Sequence, residues 1–341
     1  MAATIDDVAR LAGVSRGTVS NVLNRPNIVL EATRTRVLQA MQELDFTPSQ
    51  AARTLGGARN RCISLVVHDV ANPFFAEIAR AVEDVTRPLD YVITLTSTRA
   101  DDERQRASLR LLLAQHVSGI LLTPTASGAA GLEQLRKRGV ATVLLDYQGE
   151  ADECSVAVDD VSGGQMATRH LLELRRTRLA FVGGPDRVRQ HTDRLEGMRR
   201  AMPDRGSGRR TPRIVDVPAD TVAAGEEAAR RLLDGPAELP NGIFCGNDLL
   251  AAGLLRVLTS HGVRVPDDVA VVGYDDIDLA SLVATPLTSV RQPMYEMGRS
   301  ASTMLLDEIQ NGSHTHQHRR FVPKLVVRSS TAGDRAVDSD P

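Results

Sequence analysis

Apolar residues in the first 46 positions recur at helical spacing in three short bursts. Ile5, Val8, Ala9 and Leu11 share one face, Val19, Val22 and Leu23 a second, and Ala32, Val37, Met41 and Leu44 a third, which Phe46 and Pro48 end. Thr4 stands where an N-cap belongs, with Asp7 at capping-box spacing, and Ser15 can cap the second burst. Only Gly13, Val14 and Ser15 separate the first two bursts. Two helices so joined cross steeply, which needs a small residue at the crossing (Ala9) and a permissive one in the turn (Gly13). Three such helices bury one small core. Residues 48–55, PSQAARTL, continue a helical pattern, with Pro48 suited to a first turn. Eight residues are too few to hold a helix alone in water, so the segment is either a plain linker or helical only when templated.

From Cys62 the period changes. Short β-branched runs follow one another: CISLVV (62–67), YVITLTS (91–97), GILLTPT (119–125), ATVLLD (141–146), SVAVDD (155–160) and LAFVGG (179–184). RIVDVP (213–218), GIFCGND (242–248), VAVVGYDD (269–276), LTSVRQP (287–293) and KLVVRSS (324–330) continue the series. Amphipathic stretches such as FFAEIARAVEDV lie between most of them. This alternation predicts an α/β body with parallel sheets covered on both faces. The strands are too many for one comfortable sheet, so two lobes are expected.

Composition narrows the class. In 341 residues, 42% are hydrophobic and 25% charged, the balance of a soluble globular protein. There is no 18-residue apolar run, and MAATIDDVARLAG lacks the apolar core of a secretory signal; neither a membrane span nor export is expected. Cys62, Cys154 and Cys245 are far apart and inside apolar runs, which suits free thiols in a reducing cytoplasm. The net charge of −2 hides an asymmetry: residues 1–61 carry eight arginines against five acids, a net +3, leaving −5 for the rest. A positive head on an acidic body suits local contact with phosphates, and so modest an excess needs two heads acting together.

The second helix presents Arg16, Gly17, Ser20 and Asn21 outward, as a DNA-reading helix-turn-helix does. In open α/β sheets, ligands sit at the carboxyl ends of strands. Polar residues gather there: Asp69, Asn72, Asp146, Asp159, Asn247, Asp248, Asp275 and Gln292, with Arg194 after the Gly183–Gly184 pair. For Asp159, Asp160 and Asp248 a helix N-cap is an equal reading. Phe74 and Phe75 stand side by side at a strand-to-helix junction in a chain with ten aromatics. Amide, carboxylate and guanidinium partners for hydroxyls, with flat rings against CH faces, fit a sugar. Neither GxGxxG nor GxxxxGK[ST] is present, so no phosphate loop is expected.

Four stretches in order carry a family resemblance: TIDDVARLAGVSRGTVSNVLN, TPSQAARTL, DVANPFFAEIARAVED and VRVPDDVAVVGYDDIDLASLVATPLTSVRQP. Over essentially its whole length the chain resembles the LacI/GalR family of bacterial transcription regulators. The resemblance implies a helix-turn-helix domain over 1–47 and a hinge helix and linker over 48–61. It implies a core like the periplasmic sugar-binding proteins over 62–330, then a tail, 331–341. Lobe 1 would span about 62–160 and 291–320, lobe 2 about 161–290 and 321–330, joined by three crossovers. The implied DNA-facing set is Thr4, Ser15, Arg16, Gly17, Thr18, Ser20, Asn21 and Asn24, with Ala52 and Leu55 of the hinge, Leu55 as a minor-groove wedge. The expected ligand set is Asn72, Phe74, Phe75, Asp146, Arg194, Asn247, Asp275 and Gln292; of these, Asp146 comes from its strand-end position, not from the family. The implied partners are pseudo-palindromic operator DNA, a sugar effector of the pentose type, and a second copy of the chain, with a tetramer as an alternative. No cofactor and no metal are expected.

Two departures stand out. Arg175–Arg176 replace a Gly-His pair after one helix, which costs about 1 kcal/mol at a C-cap, and Leu30 replaces a polar residue before the third helix. The rivals are a sugar-processing α/β enzyme and a sugar-binding protein without a DNA role. The first lacks a nucleophile elbow or a His beside the carboxylates; the second is disfavoured by the basic head. His314, His316 and His318 form an HxHxH run, read as a solvated loop.

Overall fold

The computed structural model describes residues 3–46, 60–125, 127, 131–184, 188–205, 208–209, 211–311 and 314–332. The hinge segment with Ala52 and Leu55, and the tail beyond 332, lie outside the described residues. The chain divides into two compact units, an N-terminal head and a larger body.

The head is three helices, α1 (Ile5–Ala12), α2 (Arg16–Asn24) and α3 (Glu31–Glu43), with a 3-10 turn at Pro26–Ile28. Local chemistry sets their ends. Thr4 and Asp7 form a complete capping box, Gly13 closes α1 in the left-handed region (φ 64°), and the Ser15 hydroxyl accepts from the Thr18 amide. Val8, Val19 and Val37 are fully buried and Ala9 nearly so; each buried valine contributes roughly 1.5–3 kcal/mol. Two expectations fail: Leu11 and Ala32 face solvent, and Ala12 and Ala40 take core positions. Ala32 precedes Val37 by five residues, which is roughly 140° around a helix and off the buried stripe. Leu30 gives α3 no side-chain cap and is 80% exposed.

The body holds two six-stranded sheets. The first takes β1 (Cys62–Val67), β2 (Val92–Ser97), β3 (Gly119–Leu122), β4 (Ala141–Leu145), β5 (Cys154–Val158) and β13 (His318–Phe321), in the order β13-β5-β4-β3-β1-β2. The second takes β6 (Leu179–Gly183), β9 (Arg213–Asp216), β10 (Gly242–Cys245), β11 (Ala270–Asp275), β12 (Thr288–Arg291) and β14 (Lys324–Val326), in the order β14-β12-β11-β10-β6-β9. Asp204–Arg205 (β7) and Gly208–Arg209 (β8) form a short antiparallel ladder. The chain passes between sheets after β5, after β12 and after β13. β14 runs antiparallel to β12, against the expectation of parallel pairing. β13, HRRF, was not expected as a strand, because three of its four residues are polar and an edge strand needs no apolar run.

Helices α4 (Pro73–Thr86), α5 (Asp102–Ala114), α6 (Leu132–Lys137) and α12 (Met294–Gln310) cover the first sheet. Helices α7 (Asp160–Glu173), α8 (Arg189–Ala201), α9 (Val222–Leu233), α10 (Asp248–Ser260), α11 (Leu279–Leu282) and α13 (Ser329–Ala332) accompany the second. The central strands are buried along their length, and apolar clusters fill both faces of the second sheet. α7 and α8 touch backbone to backbone: a Cβ on Gly164 would collide with the Arg194 carbonyl, and one on Gly197 with the Val161 carbonyl. That close approach fixes where Arg194 sits. Arg175 takes up the left-handed C-cap position (φ 59°) of the replaced glycine.

Candidate functional site

All eight residues of the expected ligand set line one cavity. They come from strand ends, as sheet geometry requires: Asn72 and the phenylalanines follow β1, Asp146 follows β4, Asn247 follows β10, Asp275 ends β11 and Gln292 follows β12. Arg194 reaches in from α8. Phe74 and Phe75 meet edge to face, centroids 5.0 Å apart. His68, Gln190, His191 and Asp220 also line the cavity, and sequence reading missed them. Gln190 and His191 lie in the first turn of a polar helix, where nothing local distinguishes inward from outward.

The cavity is about 50 Å³, room for a water or two rather than a ligand pocket of about 300–1,000 Å³. Side chains fill the rest. The Gln190 amide donates to the Asp146 carboxylate (2.9 Å) and carbonyl (2.5 Å), tying a loop of the first sheet to a helix of the second. Arg194 donates to Asp160 (2.8 Å) and to the Gly246 carbonyl (2.6 Å), stands 3.9 Å from Asp275, and lies over the Tyr274 ring at 3.6 Å. The Gln292 amide donates to Asp275 at 2.7 Å. Asn72 and Asn247 spend their Oδ1 atoms on N-caps, donated to by Phe74 N and Leu250 N. Asp159 is also a cap, whereas Asp248 sits one residue inside its helix and accepts from Ser289 and the Ile277 amide.

Three buried carboxyls, Asp146, Asp160 and Asp275, share one guanidinium. Burial raises the Asp146 carboxyl well above the usual range, reinforced by Asp160, with Arg194 and Gln190 pulling the other way. Asp275 is pushed up to about 7, chiefly by burial, against the pull of Arg194 and Gln292. Burial works against the Arg194 charge, and the surrounding carboxylates overcome it. His191 is held down at about 4 by burial and is neutral; its Nδ1 accepts from the Gly184 amide at 3.0 Å. Asp146 (φ 54°) and Asp275 (φ 105°) both hold backbone conformations rare for non-glycine residues, strain that gathers at functional sites.

In the head, Arg16, Gly17 and Asn21 stand exposed on α2, and among the described residues Arg16 makes only a loose 3.9 Å pair with Asp6. The other expected residues have local partners: Thr4 and Ser15 cap helices, Thr18 Oγ1 meets Ser15 Oγ (2.9 Å), and Asn24 donates to Ser20 (3.3 Å). These brace the helix and leave Arg16 and Asn21 free to reach outward. The HxHxH run is not a solvated loop throughout: the His314 side chain is 5% exposed and held by partners.

Two family models match in the order that the fold suggests. Residues 4–49 match the bacterial regulatory proteins of the lacI family, and residues 168–331 match a periplasmic binding protein-like domain. The ribose operon repressor of Escherichia coli (strain K12) is 35% identical over 331 residues, covering 96% of this chain and 99% of its own. The chain belongs to the lacI family. Among solved structures, the lac repressor dimer bound to operator and the anti-inducer ONPF superposes with a TM-score of 0.80 at 26% identity, covering 97% of this chain and 100% of that one. A lacI-family regulator from Enterococcus faecium with bound ribose gives 0.71 at 28%, covering 80% and 99%. This lacI-family protein is therefore a DNA-binding transcriptional repressor controlled by a small molecule, not an enzyme. Among the described residues, no helix is long and apolar enough to cross a membrane.

Proposed function

We propose that the cleft binds a small neutral polyol, a pentose first among candidates, and that binding changes the affinity of a homodimer for a pseudo-palindromic operator in the cytoplasm. One observation carries the ligand class. Among the described residues, two buried amide oxygens in the cleft, Gln190 Oε1 and Gln292 Oε1, have no hydrogen-bond partner. Both glutamine amides are fixed, because each turns its nitrogen to a carboxylate. A buried acceptor left unpaired costs about 1–3 kcal/mol, so the ligand must donate. Hydroxyls donate; phosphates and carboxylates do not, and they would also meet Asp146 and Asp275. The spare amide nitrogens of Asn72 and Asn247 complement the ligand's oxygens, and Phe74 and Phe75 suit its CH face. The ribose-bound Enterococcus faecium regulator and the Escherichia coli ribose operon repressor support a pentose.

Admitting a ligand means opening the lobes and exchanging the Gln190–Asp146 bonds for bonds to the ligand, the differential interaction a switch requires. In the head, Arg16 reads guanine and Asn21 adenine, each worth about 1–3 kcal/mol of discrimination, while Gly17 reads little. Ala52 and Leu55 lie outside the described residues; in this reading they are the hinge contacts to the minor groove, with Leu55 as the wedge.

Thermal-shift screening of pentoses, hexoses, nucleosides and anionic sugars tests the ligand, since saturation at 100 Kd adds about 2.7 kcal/mol. A pentose should raise the midpoint and alter the gel shift of an operator fragment. Stabilisation by anions alone would reject the polyol reading.

A further inference from the structure

At the edge of the first sheet away from the cleft, three metal-ligating side chains meet. Cys154 opens β5, and His314 and His316 lie in the segment leading into β13, which pairs with β5 in parallel. Cys154 Sγ is 3.0 Å from His314 Nε2 and 3.9 Å from His316 Nδ1, and the three ligand atoms lie within 4.8 Å of one another. A tetrahedral zinc ion with Zn–S near 2.3 Å and Zn–N near 2.05 Å sets sulfur-to-nitrogen distances of about 3.6 Å. The two observed distances bracket that value.

The surroundings are those of a ligand set. His314 Nδ1 donates to Asp307 at 2.6 Å, which leaves Nε2 with its lone pair towards the sulfur, the carboxylate–histidine arrangement that orients metal ligands. The Gln317 amide donates to Cys154 Sγ at 3.3 Å, as it would to a thiolate. A cavity of about 370 Å³ opens beside the cluster and is lined by His314, His316, Glu153 and Glu308. Among the described residues, Glu308 Oε2 is buried there without a hydrogen-bond partner. The cleft uses none of these residues.

We propose that Cys154, His314 and His316 bind a zinc ion, with a water in the fourth position. Binding releases the thiol proton to solvent and forms one Zn–S and two Zn–N bonds. Thiolate and imidazole donors in a tetrahedral set select zinc over the hard cations, which take oxygen. The ion ties the start of β5, which leads into the first crossover between lobes, to the segment that leads through β13 into the third.

The test uses the full-length protein, stripped with a chelator and titrated with Co²⁺ as the probe, then with Zn²⁺. One Co²⁺ per chain with a thiolate-to-cobalt charge-transfer band, displaced by Zn²⁺, is expected. Cys154→Ser should abolish the band, and His316→Ala, at an exposed position, should weaken binding at least about tenfold. Cys62→Ser should change neither, and circular dichroism checks that each variant is folded. A wild-type protein without the band, or a band and affinity that survive either Cys154→Ser or His316→Ala, overturns the proposal and leaves a Cys154–His314 hydrogen bond alone.

Discussion

The base-reading side chains proposed in the head, Arg16 and Asn21, both lie on one nine-residue helix and stand in water; the Arg16 side chain is 70% exposed. The eight ligand candidates in the body come from positions 72 to 292, and Arg194 is 4% exposed. The difference follows from the targets. A polyanion is attracted from a distance, so its readers can stay hydrated and need only a helix braced by caps. A neutral polyol offers no long-range attraction. It is discriminated by buried polar atoms whose pairing fails without it, and burying them requires a network that neutralises itself when empty. The head therefore separates stability from recognition, and the cleft combines them.

Five substitutions probe that contrast, from the largest effect down. Arg194→Ala leaves Asp160 and Asp275 buried without their cation, so chemical denaturation should show a loss of about 3–5 kcal/mol in the body, along with loss of the ligand-induced thermal shift. A variant as stable as the parent would show that the cleft, like the head, keeps recognition apart from stability. Asp275→Asn tests the pH side of the same network. With the native carboxyl at about 7 and the ordinary aspartate value at 3.8, the native state holds more protons between those limits, so stability falls as pH rises through them. The full effect is on the order of a few kcal/mol. Urea midpoints across that window should flatten in the variant; a slope unchanged by the substitution assigns the titration elsewhere.

In the head, Arg16→Ala and Asn21→Ala should each cost about 1–3 kcal/mol of specific operator binding with no change in melting temperature. Equal losses on specific and random DNA would reduce both to phosphate contacts. Smallest is Ser15→Ala, which removes the bond accepted from the Thr18 amide and should cost about 1 kcal/mol of head stability. If it instead weakened operator binding alone, the separation drawn here would be wrong.

What was legible followed interaction range. Thr4, Asp7, Gly13 and Ser15 announce the helix-turn-helix because each bonds a backbone group within four residues of itself. The strand ends announce the cleft, because parallel strands deliver their carboxyl termini to one edge. Leu11 and Ala32 were misplaced where a short helix admits two nearly equivalent apolar stripes, and β13 where an edge strand carries no apolar signature. His314 reads as a solvated position until a residue 160 positions away closes over it.

By itself, the sequence determined most of the helices and strands, the caps of the first two helices, the two-lobe class and the strand-end polar residues, since all of these rest on periodicity or neighbouring amides. Only the tertiary structure decided that Gln190 bridges the lobes to Asp146, that Arg194 shares its charge among three carboxyls, and that Cys154 meets His314. Those pairings depend on sheet order and on three crossovers between lobes, set by burial summed over the whole body rather than by any local stretch.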